Sequence, residues 1–272
     1  MAMAMLRMIG QATAVALALA GPAAAQTVSV SGTGASLAYL EAVAERLAGT
    51  TGARVEVVAG LGSSGANRAV GEDVIDVSIS GRGLTEPETD QGLVATPLFR
   101  TPFGLFTSHE GAVDVSSSEV GALYAEPGAP NAAMNGARVR IILRPEADSD
   151  QAYAKASFPG FEAAYEAARS IPGVPVAQTD QDNADLAEEL ADSLTTGTLV
   201  QMRGEGRSLR AVSIDGVEPS PAAVVDGSYP YAKTFHVVHG SEPSEATQAF
   251  VAFLFSDEGI ALAEELGAVV ER

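Results

Sequence analysis

The chain has 272 residues, contains no cysteine and carries a formal net charge of −19 at pH 7. A chain without cysteine forms no disulfide and has no thiolate nucleophile, and so acidic a chain is unsuited to bind nucleic acid or an anionic membrane through its charge. A small anion is not excluded, because backbone N–H groups can bind one without net positive charge.

The first 25 residues are typical of a secretory signal peptide. Arg7 precedes a short apolar run, ATAVALALA, and the small residues AAA stand directly before Gln26. The apolar run is too short to cross a bilayer. We expect residues 1–25 to be a signal peptide that is cleaved before Gln26, and we expect a bacterial periplasm as the destination of this exported chain.

The next 60 residues predict three strands that each end in a Gly/Ser-rich loop. The strands are TVSVSG (27–32), ARVEVVAG (53–60) and DVIDVSIS (73–80). Ser36 is placed to cap a helix after the first strand, and a second helix passes through Asn67 and Val70. This alternation is typical of a parallel α/β sheet, whose ligands bind beyond the carboxyl ends of the strands.

The remainder alternates extended segments with helices. TPFGLFTSHE (101–110) and YPYAKTFHVVHG (229–240) are extended and aromatic, and we expect His236 and His239 to be strand residues and not metal ligands. Between these segments we expect a strand in ARVRIILRPE, helices from about residue 149 and around residues 161–169, an acidic helix NADLAEELADS, a hairpin-like SLRAVSIDGVEPS and a short helix after Ser220. Two apolar-faced helices, interrupted at SDEG, end the chain and should pack on the first α/β unit.

Four stretches at predicted strand ends carry the residue types that bind oxyanions. They run from Thr33 to Ser36, from Ser63 to Gly65, from Ser80 to Arg82 and from Arg144 to Asp150. Serine is a short donor and arginine presents a planar fork of donors. Each stretch alone is more often an ordinary capped turn, and Arg82 and Arg144 are equally compatible with surface ion pairs. The prediction of an anion site depends on the four occurring together.

Together these stretches resemble the periplasmic solute-binding proteins of ABC importers, and within them the phosphate-binding branch. VSVSGTGASLAYLEAVAERLAG resembles the first strand, ligand loop and helix of that family, GLGSSGANRAV its second ligand loop and DVSISGRGLTEPE its third. GTLVQMRGEG resembles a strand late in the second domain. PLFRTPFGLFTSHE and YPYAKTFHVVHG resemble the two crossovers between lobes, and FVAFLFSDEGIALAEELG resembles the last two helices.

The resemblance implies an α/β fold, a type II periplasmic binding protein clamshell with two interlobe crossover segments. Lobe 1 would hold residues 27–102 and 236–272, and lobe 2 residues 103–235. The clamshell would close on one small oxyanion and hand it to an ABC transporter permease. The implied ligand-binding residues are Thr33, Gly34, Ser36, Ser63, Ser64, Gly65, Ser80, Arg82, Arg144, Asp148, Ser149 and Asp150. We expect no catalytic residue, cofactor or metal, no nucleic acid partner, no stable membrane insertion, and a monomer.

The fourth ligand loop departs from the pattern of that family. The family has Arg-x-x-Gly-Ser-Gly-Thr, whereas this chain has RPEADSD, which keeps Arg144 but places Asp148 and Asp150 at the helix start. A carboxylate there repels a dianion, so we expect weak phosphate binding near neutral pH if either side chain faces the ligand. If one of them instead accepts a proton from a protonated ligand, it would strengthen binding.

Two other functions stay open at this stage. One is a ligand-sensing or accessory relative of the same fold, which would bind a different small polar solute and act on a signalling partner. The other is an enzyme, which we disfavour because the sequence contains no Gly-x-Ser-x-Gly elbow, no metal-spaced histidine pair and no phosphate-cradling lysine loop.

Overall fold

The structure is a computed structural model that describes residues 27–51 and 53–270. The predicted signal peptide and the cleavage site before Gln26 lie outside the described residues. Among the helices that the structure does describe, none combines the length and the apolar character needed to cross a membrane.

The first part of the chain forms the expected parallel α/β unit. Strand β1 (Thr27–Gly32) leads through a 3-10 turn (Gly34–Ser36) into helix α1 (Leu37–Thr51), β2 (Arg54–Val57) is followed by α2 (Gly62–Gly71), and β3 (Val77–Ser80) is followed by α3 (Glu86–Asp90). β1 pairs in parallel with both β2 and β3. β3 is buried along its whole length, because it lies inside the sheet with α2 against it.

The rest of the chain adds nine strands, eight α-helices and a second 3-10 turn (Ala132–Met134) in the described residues. They are β4 (Leu93–Thr107), β5 (Asp114–Val115), α4 (Val120–Ala125), β6 (Pro130–Asn131), β7 (Ala137–Arg138), β8 (Arg140–Ile141), α5 (Ser149–Ser157), α6 (Phe161–Arg169), α7 (Asp180–Glu189), β9 (Ser193–Thr198), α8 (Leu199–Gly204), β10 (Arg210–Ala211), β11 (Ser213–Ile214), α9 (Pro221–Asp226), β12 (Ala232–Gly240), α10 (Glu245–Leu254) and α11 (Asp257–Glu265). The predicted mixed α/β fold is confirmed.

The long strand β4 joins the two halves of the main sheet. Its first part, residues 93–102, pairs antiparallel with β12, and residues 103–106 pair antiparallel with β9. The main sheet therefore has the order β2-β1-β3-β12-β4-β9-β8, with β10 added on β4. His236 and His239 lie in β12, as expected for strand residues.

Two large hydrophobic cores lie on either side of this crossing. The first packs β1, β3 and α1 against the two last helices and includes Leu40, Phe99 and Leu262. The second packs α4, α6 and the far end of β4 and includes Phe103 and Tyr165. We propose that they are the cores of two lobes with the bounds expected from the sequence, and call them lobe 1 (27–102 and 236–272) and lobe 2 (103–235).

One predicted strand is wrong. GTLVQMRGEG was expected to be extended, but β9 ends at Thr198 and the next six residues form α8. The Thr198 hydroxyl accepts a hydrogen bond from the amide of Gln201, as an N-cap does. The following side chains are buried on several sides: Val200, a residue of lobe 2, packs into the core of lobe 1, and Met202 packs into a smaller cluster. In such an apolar stretch the spacing of apolar residues does not distinguish a strand from a helix.

Gly259 generates a prediction about packing in lobe 1. A Cβ at this position, in the first turn of α11, would lie 2.2 Å from the carbonyl oxygen of Phe253 and 2.8 Å from that of Leu254. Both atoms are backbone at the end of α10, so α11 must shift to make room. We expect Gly259→Ala to lower the free energy of unfolding by about 1–3 kcal/mol in urea titrations.

Gly49 is the matched control, because it lies in helix α1 and an added Cβ would meet no heavy atom within 4 Å. Gly49→Ala should raise the free energy of unfolding by about 0.5–1 kcal/mol, since alanine loses less backbone entropy than glycine in a helix. Wild-type stability in Gly259→Ala would contradict the close packing of α10 on α11.

Candidate functional site

A cavity of about 230 Å³ lies where four loops at helix starts meet. Residues 33–34 and 60–65 of lobe 1 form one side, and residues 144–149 and 178–181 of lobe 2 form the other. The lining residues are Thr33, Gly34, Gly60, Leu61, Gly62, Ser63, Ser64, Gly65, Arg144, Pro145, Ala147, Asp148, Ser149, Gln178, Thr179, Asp180 and Gln181. The cavity thus lies between loops of both lobes.

The start of α2 presents backbone donors to this cavity. Gly60 and Gly62 have φ angles of +81° and +64°, which allow the chain to turn sharply from the end of β2 into the helix. Leu61 occupies the N-cap position, no side chain among the described residues caps this helix, and its first turn contains no acidic residue. Its first amide N–H groups therefore lack intrahelical acceptors and carry a partial positive charge.

Arg144 enters the cavity from lobe 2 and is 3% exposed. Its Nη1 donates to the carbonyl oxygens of Ala177 (3.1 Å) and Thr179, and its Nη2 donates to Asp148 Oδ2 and Asp180 Oδ1, both at 2.9 Å. Its Nε is buried and has no hydrogen-bond partner among the described residues. A guanidinium has five N–H groups, so only Nε–H remains for another acceptor.

The two aspartates of the RPEADSD loop have separate roles. Asp148 Oδ1 accepts from the amides of Asp150 (3.0 Å) and Gln151 (3.1 Å) and so caps α5. Asp150 is buried outside the cavity and pairs with Lys233 of β12, whose Nζ also donates to Ser149 Oγ at 2.8 Å. The helix start that resembles an anion loop is therefore capped by its own carboxylate.

Asp180, the first residue of α7, connects the two lobes. Its Oδ2 accepts from the amide of Ala35 (2.8 Å) and from Thr33 Oγ1 (3.2 Å), and its Oδ1 accepts from Arg144. A Cβ on Gly34 would lie 2.6 Å from Asp180 Oδ2, so the approach depends on glycine at that position. Beside this contact, Gln181 Nε2 donates to the carbonyl oxygen of Gly34 at 3.0 Å.

Burial raises the pKa of Asp180 to about 7. The neighbouring carboxylates of Asp150 and Asp148 raise it as well, whereas Arg144 and Lys233 act in the opposite direction. The five groups sum to a formal charge of −1 when all are ionised. A proton on Asp180 would neutralise this buried network.

The structure brings part of the predicted ligand set into the cavity. Its members there are Thr33, Gly34, Ser63, Ser64, Gly65, Arg144, Asp148 and Ser149. Ser36, Ser80, Arg82 and Asp150 do not line it. The Ser36 hydroxyl donates to the carbonyl oxygen of Thr33, and the Ser80 hydroxyl to that of Arg82, both at 2.8 Å.

Arg82 forms an ion pair. Its Nη2 donates to Glu88 Oε1 at 2.7 Å and its Nη1 to Glu88 Oε2 at 2.8 Å. The hydrogen bonds from Arg82 lower the pKa of Glu88 to about 2. Arg82 also donates to Ser64 Oγ at 3.0 Å, so it contacts the start of α2 without lining the cavity itself.

Sequence reasoning missed the residues that α7 and β12 bring to the site. Gln178, Thr179, Asp180 and Gln181 line the cavity, and Lys233 holds Asp150 beside it. The acidic helix begins at Asp180, three residues before the predicted segment. A signal was available, because Thr179 and Asp182 form a capping box at that start.

A family model of the PBP superfamily domain, where PBP stands for periplasmic binding protein, matches residues 18–258. The chain belongs to the PBP superfamily. A similar solved structure is a putative phosphate ABC transporter substrate-binding protein with bound phosphate from Clostridium perfringens. It has 19% sequence identity and a TM-score of 0.78 over 91% of this chain and 100% of that one.

Other PBP structures are similar at lower TM-scores. An ABC-type phosphate transport receptor from Vibrio cholerae has 17% identity and a TM-score of 0.63, over 90% of this chain and 100% of that chain. A periplasmic molybdate-binding protein from Azotobacter vinelandii has 15% identity and a TM-score of 0.61 over the same shares. At such identities the likeness establishes the two-lobed PBP fold.

A short stretch also matches a curated relative, a phosphate-binding protein from Streptococcus pneumoniae. The match is 40% identical over 53 residues, which is 20% of this PBP chain and 18% of that protein. The chain therefore matches about a fifth of the length of this relative.

The raised pKa of Asp180 predicts a pH-dependent stability. The folded chain keeps a proton on Asp180 until about pH 7, whereas an unfolded aspartate loses it near pH 4. The folded state thus binds more protons between these values, and the contribution of this group to the free energy of unfolding falls as the pH rises. We expect the isosteric variant Asp180→Asn to lose this dependence.

Urea unfolding of wild type and Asp180→Asn at pH 5 and pH 8 measures the effect. The variant should gain stability relative to wild type between the two pH values, on the order of 2 kcal/mol, because one pKa unit corresponds to about 1.4 kcal/mol. The other titrating groups cancel in this comparison. The same stability difference at both pH values would show that Asp180 titrates normally.

Proposed function

We propose that this protein binds a small oxyanion of the phosphate type in the cavity between its lobes and delivers it to an ABC transporter. One observation carries the proposal. The uncapped start of α2 in lobe 1 and the buried guanidinium of Arg144 in lobe 2 face the same small cavity. Backbone amides at a helix start and an arginine fork are the two donor types that oxyanions prefer.

The division of donors between two lobes suits a protein that closes on its ligand. An oxyanion has several acceptor oxygens, and these can all be hydrogen-bonded only when the 60–65 loop and Arg144 are brought together. Binding therefore favours the closed arrangement, because the open one offers fewer hydrogen bonds to the same ligand. Thr33 and Ser64 add hydroxyl donors on the lobe 1 side.

The size of the cavity supports a small ligand. Sites for drug-sized ligands occupy roughly 300–1,000 Å³, whereas this cavity has about 230 Å³. The names of the similar proteins, which include phosphate transport receptors and a molybdate-binding protein, support an oxyanion. We propose a periplasmic location, which the signal-peptide pattern in residues 1–25 supports, and we propose that the protein acts as a monomer with a permease as its partner.

Ser64 provides the test of this proposal. Its side chain is exposed at the start of α2, so an aspartate there would place a negative charge beside the amides that the anion needs. We expect Ser64→Asp to weaken phosphate binding at least tenfold in titration calorimetry, because two like charges about 4 Å apart repel by up to about 4 kcal/mol at an effective dielectric of 20. Helix stability should not fall, since an acidic residue near a helix start is favourable.

Ser64→Asn is the matched control, because asparagine has nearly the size of aspartate and no charge. It should bind phosphate far more tightly than Ser64→Asp. The proteins are first unfolded, dialysed and refolded to remove any bound anion. Equal phosphate affinities of the two variants would refute the assignment of α2 as the anion site, and the absence of phosphate binding by the wild type would refute the proposed function.

A further inference from the structure

We infer that Asp180 is an internal competitor for the cleft: its carboxylate holds the two lobes together without ligand, through the same donors that an external oxyanion requires. The inference deepens the proposed function and rests on it for the nature of the competing ligand. That Asp180 contacts both lobes is shown by its hydrogen bonds and does not depend on the proposed function.

The carboxylate of Asp180 makes the contacts of a bound oxyanion. It accepts from the Ala35 amide at the start of the first helical segment, from the Thr33 hydroxyl and from the Arg144 guanidinium. The first two donors belong to lobe 1, whereas Asp180 and Arg144 belong to lobe 2. The carboxylate therefore bridges the lobes as we propose that the ligand does.

Arg144 makes the competition direct. Its four Nη–H groups already have acceptors, namely two carbonyl oxygens and the carboxylates of Asp148 and Asp180. An external oxyanion that binds two of its N–H groups can use Nε–H for one contact and must displace an existing acceptor for the other. One of the two aspartates has to give way.

Asp180 is the aspartate that can leave. Asp148 caps α5 with its other oxygen, so its departure would leave two amides without an acceptor. The start of α7 is instead capped by Thr179 and Asp182, and it does not depend on the Asp180 side chain. Asp180 is also the member whose partners lie across the cleft, so opening of the lobes separates it from Ala35 and Thr33.

The charges around Asp180 determine which anions enter. It faces Arg144 and Asp148 from the loop before α5, Asp150 from α5 and Lys233 from β12. A dianion added to this network would change its formal charge from −1 to −3, whereas a proton on Asp180 removes one negative charge. Because the pKa of Asp180 is about 7, competition should be strongest above neutral pH and weaker below it.

Small-angle X-ray scattering tests the contact without any ligand. Asparagine has one acceptor oxygen where aspartate has two, so Asp180→Asn cannot accept from both Arg144 and Ala35. In phosphate-free buffer at pH 8 we expect Asp180→Asn to have a larger radius of gyration than wild type. Glu189→Gln, an exposed residue at the other end of α7, removes the same charge and should leave the radius unchanged.

A radius of gyration of Asp180→Asn equal to that of wild type would overturn the inference. Should this variant fail to fold, Gly34→Ala makes the same test from lobe 1, because its Cβ would collide with Asp180 Oδ2. An unchanged radius in Gly34→Ala would then overturn the inference in the same way.

Phosphate binding tests the competition. We expect the ratio of the dissociation constants of wild type and Asp180→Asn to rise about tenfold from pH 6 to pH 8, as the protonated fraction of a group with a pKa near 7 falls. Phosphate itself titrates in this range, but its titration is common to both proteins and cancels in the ratio. The corresponding ratio for Glu189→Gln should stay constant.

The two measurements separate the inference from the proposed function. A ratio that does not change with pH for Asp180→Asn would overturn the competition, although phosphate binds. If neither protein binds phosphate at either pH, the proposed function is wrong. In that case, the scattering result alone decides whether Asp180 holds the lobes together.

Discussion

The buried guanidinium of Arg144 is the constraint on which the cleft depends. A charge that is removed from water must be matched by partners, because its desolvation is expensive. Two carbonyl oxygens and two carboxylates match it here. One of those carboxylates caps α5 and the other reaches across to lobe 1. Because Arg144 needs negatively charged partners, it links the helix starts of both lobes.

The fold brings these groups together through the ends of its strands and helices. In lobe 1 the strands β1 and β2 are parallel neighbours, so the loops that follow them, before α1 and α2, meet at one edge of the sheet. In lobe 2, Arg144 follows β8 and Asp180 begins the helix before β9, and these two strands are neighbours. β4 and β12 cross from one core to the other, so the lobes share a continuous backbone behind the cavity.

Local patterns were sufficient to predict most of the elements but not the contacts between them. The alternation of strands with Gly/Ser-rich loops over residues 27–80 predicted the first α/β unit, because each of these signals lies within a few residues. Asp180 could not be found in this way, because its partner Ala35 is 145 positions away. The capping box at Thr179 identifies the helix start but not the cavity that it faces, and α8 was missed because its apolar run has no distinguishing period.

A crystal structure of the protein grown with arsenate near pH 6 would show whether an oxyanion displaces Asp180 from lobe 1, because the anomalous scattering of arsenic marks the site of an oxyanion of the phosphate type. We expect an arsenic peak between the start of α2 and Arg144, with the Asp180 carboxylate displaced from the Ala35 amide. An arsenic peak elsewhere, or arsenate at this place with Asp180 still hydrogen-bonded to Ala35, would refute the displacement of Asp180 by the ligand.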